Sequence, residues 1–355
     1  VCVLEKASEI GAHILSGAVI ETVALDKLLP NWQDMDSPIK TKVTKDKLSY
    51  FGKNWSVNIP NFLLPPLMKN HGNYIVSLGN VCKWLGEVAE SLGVEVYPGF
   101  SAAEVLIDED DKVYGVATGD MGVSKDGIAK DSWESGMELH AKYTLFSEGA
   151  RGSLSKFLID NFELSKESDH QKYAIGIKEL WEVKEENHQE GLVEHSMGWP
   201  LSEGTGGGSF LYHFGQNLVS IGYVVHLNYT NPYVSPFDEF QQFKTHPSIK
   251  KILEGGKRIS YGARAITAGG FQSVPKLFFP GGALIGCSAG FLNYPKIKGT
   301  HNAMESGILA AESIIENFLS ENQNNDLFNY QEKYESSRIA KELKKVRNVK
   351  PFQSR

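Results

Sequence analysis

The sequence has few cysteines, and none of them belongs to a metal or disulfide pattern. Cys2, Cys82 and Cys287 are far apart in the 355 residues and form no CxxC pair. Their spacing excludes a disulfide framework and the usual zinc and iron–sulfur motifs, and a reducing compartment is the default expectation. No GxSxG nucleophile motif or zinc signature occurs. The histidines without metal-ligand spacing are His71, His140, His195, His213, His226, His246 and His301.

Long apolar runs and clusters of basic residues are also missing. No stretch approaches the roughly 20 apolar residues of a membrane-spanning helix, although contact with a membrane surface is compatible with the sequence. The formal net charge of −7, without a dominant Lys/Arg cluster, argues against a general nucleic-acid binder. The hydrophobic share of 41% and the charged share of 22% are those of a folded protein with room for two or more domains. No signal or transit peptide is recognisable.

Strand and helix patterns divide the chain into parts of different character. Apolar residues at helical spacing, followed by Gly93, predict a helix over 78–92, with a strand at "VEVYPG" and a hairpin at "AAEVLIDEDDKVYGVATGD" after it. Five prolines in a polar and aromatic mixture predict an irregular insertion over 25–70, without helix or sheet layers. Short strands dominate 172–276, and a strand, turn and helix follow over 281–318. The chain is therefore predicted to be α/β, with a β-rich domain inserted into another domain.

Two short motifs place acidic or small residues at strand ends. "VCVLEK" ends an apolar strand with Glu5, where an acidic residue of a dinucleotide-binding unit accepts hydrogen bonds from the adenosine ribose. "LFSEGARG" places Glu148 and Gly149 in a turn, where glycine lets backbone amides approach a bound dinucleotide. Each motif alone is equally compatible with an ordinary strand end or a plain strand-to-helix turn.

A third motif, "LIGCSAG" followed by "KGTHNAM", leads from a strand into a helix. Gly286–Gly290 offers backbone amides to a phosphate or ribityl chain, and the helix begins near Gly299 and Thr300 with its partial positive end. A closely packed helix without a ligand explains this stretch alone equally well. The three motifs together, in this order and separated by a β-rich insertion, match flavoproteins that bind FAD in a split Rossmann domain. The usual GxGxxG would lie upstream of Val1.

Longer segments of the sequence resemble a known family. The sequence closely resembles the electron-transfer flavoprotein–ubiquinone oxidoreductases over essentially its whole length. The similarity is carried by "VCVLEKASEIGAH", "HGNYIV", "LGVEVYPG", "SFLYH", "HPSIKKILEGGKRISYGARAI", "GGFQSVPKL" and "FPGGALIGCSAGFLNYPKIKGTHNAMESGILAAESI".

This resemblance implies a fold and an activity. The family takes electrons from reduced electron-transfer flavoprotein and passes them through FAD and a four-iron four-sulfur cluster to ubiquinone, as part of the electron transport that serves fatty acid β-oxidation. It is monotopic, on the matrix face of the mitochondrial inner membrane or on the bacterial cytoplasmic membrane. The implied fold is a split Rossmann-like FAD domain of glutathione-reductase type with an inserted ubiquinone-binding domain. The implied bounds are 1–30, 71–165 and 281–320 for the FAD domain, 31–70 and 166–280 for the ubiquinone domain, and 321–355 for the start of a cluster domain.

The resemblance also assigns site residues. Glu5, with Lys6 beside it, matches the ribose-binding end of the strand, and Thr300 matches the hydroxyl that bonds the flavin ring. The residues implied to bind FAD are Glu5, Lys6, Ser16, Gly17, Ala18, Glu148, Gly149, Gly286, Cys287, Ser288, Ala289, Gly290, Gly299 and Thr300. Gly207 and Gly208 match the backbone site for the quinone carbonyl, in a triple glycine where the alignment can slip by one residue. No catalytic side chain and no metal ligand are expected in this chain.

Two departures from the family and two rival functions remain. The GxGxxG motif and the four cluster cysteines of the family are absent, and both absences are expected of a fragment. Such a fragment is expected to bind FAD poorly and to hold no cluster. "IGAHILSGAVIETVALDKLLPNW" and "NFLLPPLM" are the candidates for membrane contact, and the resemblance favours the first. The alternatives are an FAD-dependent monooxygenase or geranylgeranyl-reductase-like enzyme with a lipid substrate, and a non-catalytic FAD-fold protein.

Overall fold

The computed structural model describes residues 1–14, 17–202, 204–320 and 326–349. Its strands are β1 (Cys2–Glu5), β2 (Ala18–Ile20), β3 (Thr41–Lys42), β4 (Lys45–Phe51), β5 (Ser56–Ile59), β6 (Tyr74–Val76), β7 (Glu95–Pro98), β8 (Ala102–Ile107), β9 (Val113–Thr118), β10 (Met121–Val123), β11 (Ala129–Glu134), β12 (Glu138–His140), β13 (Thr144–Phe146), β14 (Tyr173–Glu182), β15 (Leu192–Gly198), β16 (Gly207–Phe214), β17 (Leu218–His226), β18 (Lys257–Thr267), β19 (Phe278–Phe279) and β20 (Gly282–Leu284). Its helices are α1 (Val23–Leu28), α2 (Leu78–Ser91), α3 (Ser153–Asn161), α4 (Pro236–Thr245), α5 (Pro247–Leu253), α6 (Thr300–Leu319), α7 (Phe328–Ser336) and α8 (Arg338–Val346). The predicted α/β class is confirmed.

The largest sheet has seven strands in the order β18-β14-β17-β16-β15-β4-β5. Its pairs are antiparallel except for β15 with β4, which is parallel and joins segments about 150 residues apart in sequence. The prediction of an irregular insertion over 25–70 is therefore wrong, because this segment supplies α1, β3 and two strands of the sheet. β4, "KDKLSYF", is polar and only half-buried, so its composition does not show that a distant strand completes its hydrogen bonds.

One face of the seven-stranded sheet is covered by α4 and α5. Tyr223 of β17 packs against Phe240 and Phe243 of α4, with ring centroids 6.5 and 5.2 Å away. The segment "FDEFQQFKTHPSIKKIL" has a helix-like pattern that interrupts the predicted strands, and the structure divides it into two helices at Pro247. Proline lacks the backbone N–H that a helix interior uses and is well tolerated as the first residue of a new helix.

Two parallel strand pairs lie outside the large sheet. β1 pairs with β7 in a two-stranded sheet, and β13 pairs with β20, which also carries β19. Parallel strands end at the same edge, so the turns after β13 and β20 leave the sheet side by side. β20, α3, α6, α7 and α8 share one buried core with the β8–β9 hairpin.

A third small sheet lies against the large one. Its order is β2-β6-β3, with both neighbours antiparallel to β6. Its buried side chains share a cluster with side chains of the seven-stranded sheet: Val19, Val43, Ile75, Leu180, Val193 and Tyr212. This packing fixes β2, which directly follows Gly17, against the large sheet.

The last described helices were not predicted from the sequence. α7 and α8 contribute Tyr330, Tyr334 and Leu343 to the core formed around β13 and β20, and the Tyr330 hydroxyl donates to the Leu284 carbonyl at 3.1 Å. The domain bounds given above, including a separate domain from residue 321, stay a prediction. Among the described residues, no helix has both the length and the apolar character needed to cross a bilayer.

Candidate functional site

The turns after β13 and β20 meet at the edge of their sheet. The Ser288 hydroxyl donates to the Gly149 carbonyl at 3.4 Å, which joins the two turns. Gly149 has a φ of +79° and open space where a side chain would start, so its backbone is accessible. Two of the three predicted motifs are therefore adjacent in the structure.

The Glu148 side chain is hydrogen-bonded to the start of α3. Its carboxylate accepts hydrogen bonds from the Leu154 amide at 3.2 Å, and from the Ser155 amide and hydroxyl at 2.6 Å each. A carboxylate in this position satisfies free amides of the first helical turn and is stabilised by the helix dipole. The Glu148 side chain therefore shapes the turn. The approach of this turn to a dinucleotide stays a prediction, and it concerns the Gly149 backbone.

The segment Gly286–Gly290 is held tightly against α6. Gly286 begins a short 3₁₀ turn with a φ of +60°, and its amide donates to the Ser306 hydroxyl at 2.9 Å. Burial raises the pKa of the Cys287 thiol, so this cysteine is neutral near pH 7. Ala289 is fully buried. The small residues of α6 thus allow the turn to pack against the helix, as the close-packing interpretation of this stretch requires.

The mouth of α6 lies next to this turn. Gly299 is the N-cap and supplies no side-chain cap to the first amides of a 20-residue helix. Thr300, the first helical residue, is half-buried. Uncapped amides at the positive end of a long helix favour an electron-rich or anionic group.

A carboxylate that the sequence analysis missed organises the segment around Thr300. Glu342 of α8 accepts hydrogen bonds from Asn293 Nδ2 at 2.9 Å, Lys296 Nζ at 2.9 Å and His301 Nε2 at 3.0 Å. Burial disfavours the charged carboxylate, but the hydrogen bonds from His301, Lys296 and Asn293 outweigh it and hold the pKa of Glu342 well below its usual range. No local pattern marks Glu342, because its partners lie about 40 residues upstream.

Glu21, His301 and Glu342 form the one group of potential metal ligands among the described residues. The Lys296 ammonium lies 2.7 Å from Glu21 and 2.9 Å from Glu342, and it therefore supplies the positive charge that these carboxylates need. This cluster is an ion-pair network that ties β2, the 293–300 loop and α8 together.

The remaining predicted cofactor residues lie around β1 and before β2. The half-buried Glu5 ends β1 and accepts a hydrogen bond from the Ala7 amide at 2.7 Å, while Lys6 is exposed. Ser16 lies outside the described residues. Gly17 has a φ of +94°, and Ala18 begins β2. β1 and the β13–β20 pair belong to different sheets, so no shared ladder brings Glu5 to the other turns.

Two cations of the large sheet hold the loop before β2. Lys178 Nζ donates to the Gly17 carbonyl at 3.2 Å, and Arg264 donates to the His13 carbonyl at 2.6 Å. Burial lowers the pKa of Lys178 to about 8. A side chain at Gly17 would collide with Ser220, so glycine is required where the loop crosses the sheet.

Gly207 and Gly208 begin β16, in the large sheet. A Cβ on Gly207 would collide with the Val224 carbonyl, and one on Gly208 would lie 2.6 Å from the Ser196 carbonyl. Close strand packing therefore requires both glycines, whether or not a ligand approaches them.

The two candidate membrane segments differ in exposure. In the first, Ile20, Leu25 and Trp32 are buried at 2% exposure or less, while Val23 and Leu28 are 43% and 51% exposed. In the second, Phe62 and Leu63 are 81% and 63% exposed. Among the described residues of the two segments, the most exposed apolar side chains thus belong to "NFLLPPLM".

Sequence relatives agree with the expected family. A profile described as ETF-QO, ubiquinone-binding matches residues 173–266. The chain is 54% identical over 99% of its length to "Electron transfer flavoprotein-ubiquinone oxidoreductase, mitochondrial" of Caenorhabditis elegans, and it covers 59% of that protein. The human protein of the same name is 53% identical, with 58% covered, and a Pseudomonas aeruginosa protein named without "mitochondrial" is 52% identical, with 64% covered. The chain thus spans about 60% of these relatives.

Solved structures share the fold at much lower identity. A geranylgeranyl bacteriochlorophyll reductase-like protein from Thermoplasma acidophilum superposes with a TM-score of 0.71 at 18% identity, covering 99% of this chain and 80% of that one. A flavoprotein/dehydrogenase from Cytophaga hutchinsonii gives 0.64 at 15% identity, covering 99% and 79%. These likenesses show the fold alone. The sequence relatives go further: over nearly its whole length, this chain is homologous to a large segment of the electron transfer flavoprotein–ubiquinone oxidoreductases.

Proposed function

We propose that this chain is the flavin- and quinone-binding part of an enzyme that takes electrons from reduced electron-transfer flavoprotein and passes them to ubiquinone. The observation that carries this proposal is the identity of 52–54% over 98–99% of the chain to proteins of that name. The match of residues 173–266 to the ubiquinone-binding profile supports ubiquinone as the electron acceptor. It speaks against the alternative, a monooxygenase or geranylgeranyl-reductase-like enzyme with a lipid substrate.

The described residues fit an FAD. Glu5 offers a carboxylate at a strand end to the ribose, and Gly149 has open space for a close approach. Gly286–Gly290 and the mouth of α6 offer backbone amides, and Thr300 offers a hydroxyl. Gly17, held by Lys178, would contact the ring. Lys6, Ser16 and Ala18 complete the proposed site.

The role of these residues is to position, polarise and exclude water. A bound flavin supplies the ability to exchange electrons singly or in pairs, while the protein sets distance and potential. The positive end of α6 and the Thr300 hydroxyl would stabilise negative charge on the pyrimidine edge of the ring. Lys178, whose pKa burial lowers to about 8, holds a positive charge at neutral pH behind the Gly17 loop.

The quinone site and its access route are part of the same proposal. The Gly207 and Gly208 backbone would bond a quinone carbonyl, and the exposed Phe62 and Leu63 would dip into the membrane that dissolves the quinone. The location would be the matrix face of the mitochondrial inner membrane or the bacterial cytoplasmic membrane. A four-iron four-sulfur cluster is proposed for the longer protein, outside this chain's three cysteines.

The test uses the full-length flavoprotein with purified electron-transfer flavoprotein and a short-chain ubiquinone. We expect quinone reduction that requires both the flavoprotein donor and FAD. Gly307→Ala, in α6 with free space around the new methyl, is the matched control and should keep full activity. Quinone reduction that proceeds without the donor, or reduction of a prenylated lipid by a nicotinamide cofactor instead, would contradict the proposal.

A further inference from the structure

A cavity of about 520 Å³ opens beside the exposed apolar turn. It lies between the start of β4, the 3₁₀ turn Asn61–Leu63 and the loop that precedes β6. Its lining residues are Val43, Thr44, Lys45, Asp46, Asn61, Phe62, Lys69 and His71. It is separate from the turns assigned to the flavin and from Gly207 and Gly208.

The lining of the cavity carries more positive than negative charge, from Lys45 and Lys69 against Asp46. Within the described part of the chain, Lys45 and Lys69 have no ion pair or side-chain hydrogen bond, and neither does His71. The one lining carboxylate, Asp46, keeps its negative charge, but its two oxygens accept hydrogen bonds from the Asn70 amide and side-chain nitrogen at 2.8 Å each, and it pairs with neither lysine. The two ammonium groups are therefore available to an anion from outside.

The rim of the cavity is strongly apolar. Phe62 lines the cavity and is 81% exposed, and Leu63 beside it is 63% exposed. The adjoining β4–β5 hairpin adds Trp55 at 56% and Val57 at 57%. An anion alone would gain nothing from such a rim, whereas a molecule with both a charged head and apolar chains matches both parts.

We propose that this cavity binds the phosphate-bearing headgroup of an anionic membrane phospholipid, with the acyl chains against Phe62 and Leu63. Lys45 and Lys69 contact the phosphate, and the apolar turn enters the bilayer beside it. This proposal rests on the membrane contact in the proposed function and adds a lipid class and two recognition residues. The bound lipid would fix the depth and orientation of the protein at the membrane.

The experiment measures binding of the full-length flavoprotein to vesicles of phosphatidylcholine alone and of phosphatidylcholine mixed with phosphatidylglycerol. We expect tighter binding to the mixed vesicles. Each lysine near an anionic surface contributes roughly fivefold, so Lys45→Gln with Lys69→Gln should weaken mixed-vesicle binding about 25-fold and remove the preference. Lys83→Gln with Lys130→Gln makes the same charge change at exposed positions outside the cavity and should retain the preference.

Further comparisons distinguish the headgroup proposal from the membrane contact on which it rests. Phe62→Ser with Leu63→Ser should weaken binding to both kinds of vesicle and keep the preference. Equal binding of the wild type to both compositions would overturn the headgroup proposal and leave the membrane contact standing. Failure to bind either would overturn both.

Three further outcomes have a defined meaning. Equal loss of the preference in the Lys83/Lys130 control would show general charge attraction and overturn the site. Thermal stabilisation by inorganic phosphate that depends on Lys45 and Lys69, without any lipid preference, would replace the lipid by a soluble phosphate. Headgroup preference without donor-dependent quinone reduction would support the site while contradicting the proposed function.

Discussion

Glu342→Gln tests whether one carboxylate holds the segment around Thr300. The substitution keeps the shape of the side chain and removes the charge that Asn293, Lys296 and His301 share. The Glu342 side chain is 14% exposed, so its partners would be left largely desolvated. Removing one partner of a buried ion pair costs about 3–5 kcal/mol, and we expect a loss of unfolding free energy near the lower limit, because glutamine still accepts one hydrogen bond.

The pH dependence of this loss has a definite sign. The folded pKa of Glu342 is depressed from the ordinary 4.5, so its contribution is complete above that pH and declines as the pH falls further. The difference between wild type and variant should therefore be constant from pH 7 to about 5 and shrink below it. The loss of these hydrogen bonds should also make the 293–300 loop more mobile, and the variant should therefore retain FAD less well.

Urea unfolding of the FAD-loaded protein, followed by tryptophan fluorescence at several pH values, measures the difference. Glu163→Gln breaks an exposed ion pair with Lys166, whose side chains are 69% and 71% exposed, and it should change the unfolding midpoint little. A Glu342→Gln variant that unfolds like this control, or whose deficit grows as the solution is acidified, would refute the reasoning.

Three further predictions concern the proposed site. Thr300→Ala should lower a flavin reduction potential by tens of millivolts, from loss of a charge-assisted hydrogen bond of about 1–3 kcal/mol; unchanged potentiometry would remove Thr300 from the ring contact. Gly208→Ala should cost about 1–3 kcal/mol of stability, because its methyl would approach the Ser196 carbonyl at 2.6 Å. The variant should also reduce ubiquinone more slowly while it retains its FAD. Quinone-reduction kinetics like those of the wild type would contradict this prediction. The wild type should gain stability as the pH rises from about 8 towards 10.5, because the unfolded chain binds the Lys178 proton more tightly than the folded chain does. Lys178→Met should flatten this rise. Urea titrations in which the unfolding free energy of the variant rises with pH as steeply as that of the wild type would count against the prediction.

Local patterns were sufficient where the structure is local. The helix α2, the β8–β9 hairpin and the start of α6 at Thr300 follow from apolar spacing, turn residues and glycine caps, and the structure confirms them. These signals operate over a few residues, so a single sequence carries them.

Features that depend on distant partners were not predictable. β4 is a polar segment that becomes a strand because β15, far along the chain, completes its ladder. Glu342 matters because three donors from another segment converge on it. The Glu148 carboxylate bonds the first amides of α3, which begins five residues later at Ser153, and the turn motif alone does not reveal this side-chain role.

The most direct test of the central claim is an anaerobic spectral titration of the full-length flavoprotein. Reduced electron-transfer flavoprotein should bleach its flavin absorbance, and ubiquinone added afterwards should restore the absorbance with formation of quinol. A flavin that stays oxidised in the presence of the reduced donor, or a bleached flavin that ubiquinone does not reoxidise, would contradict the account.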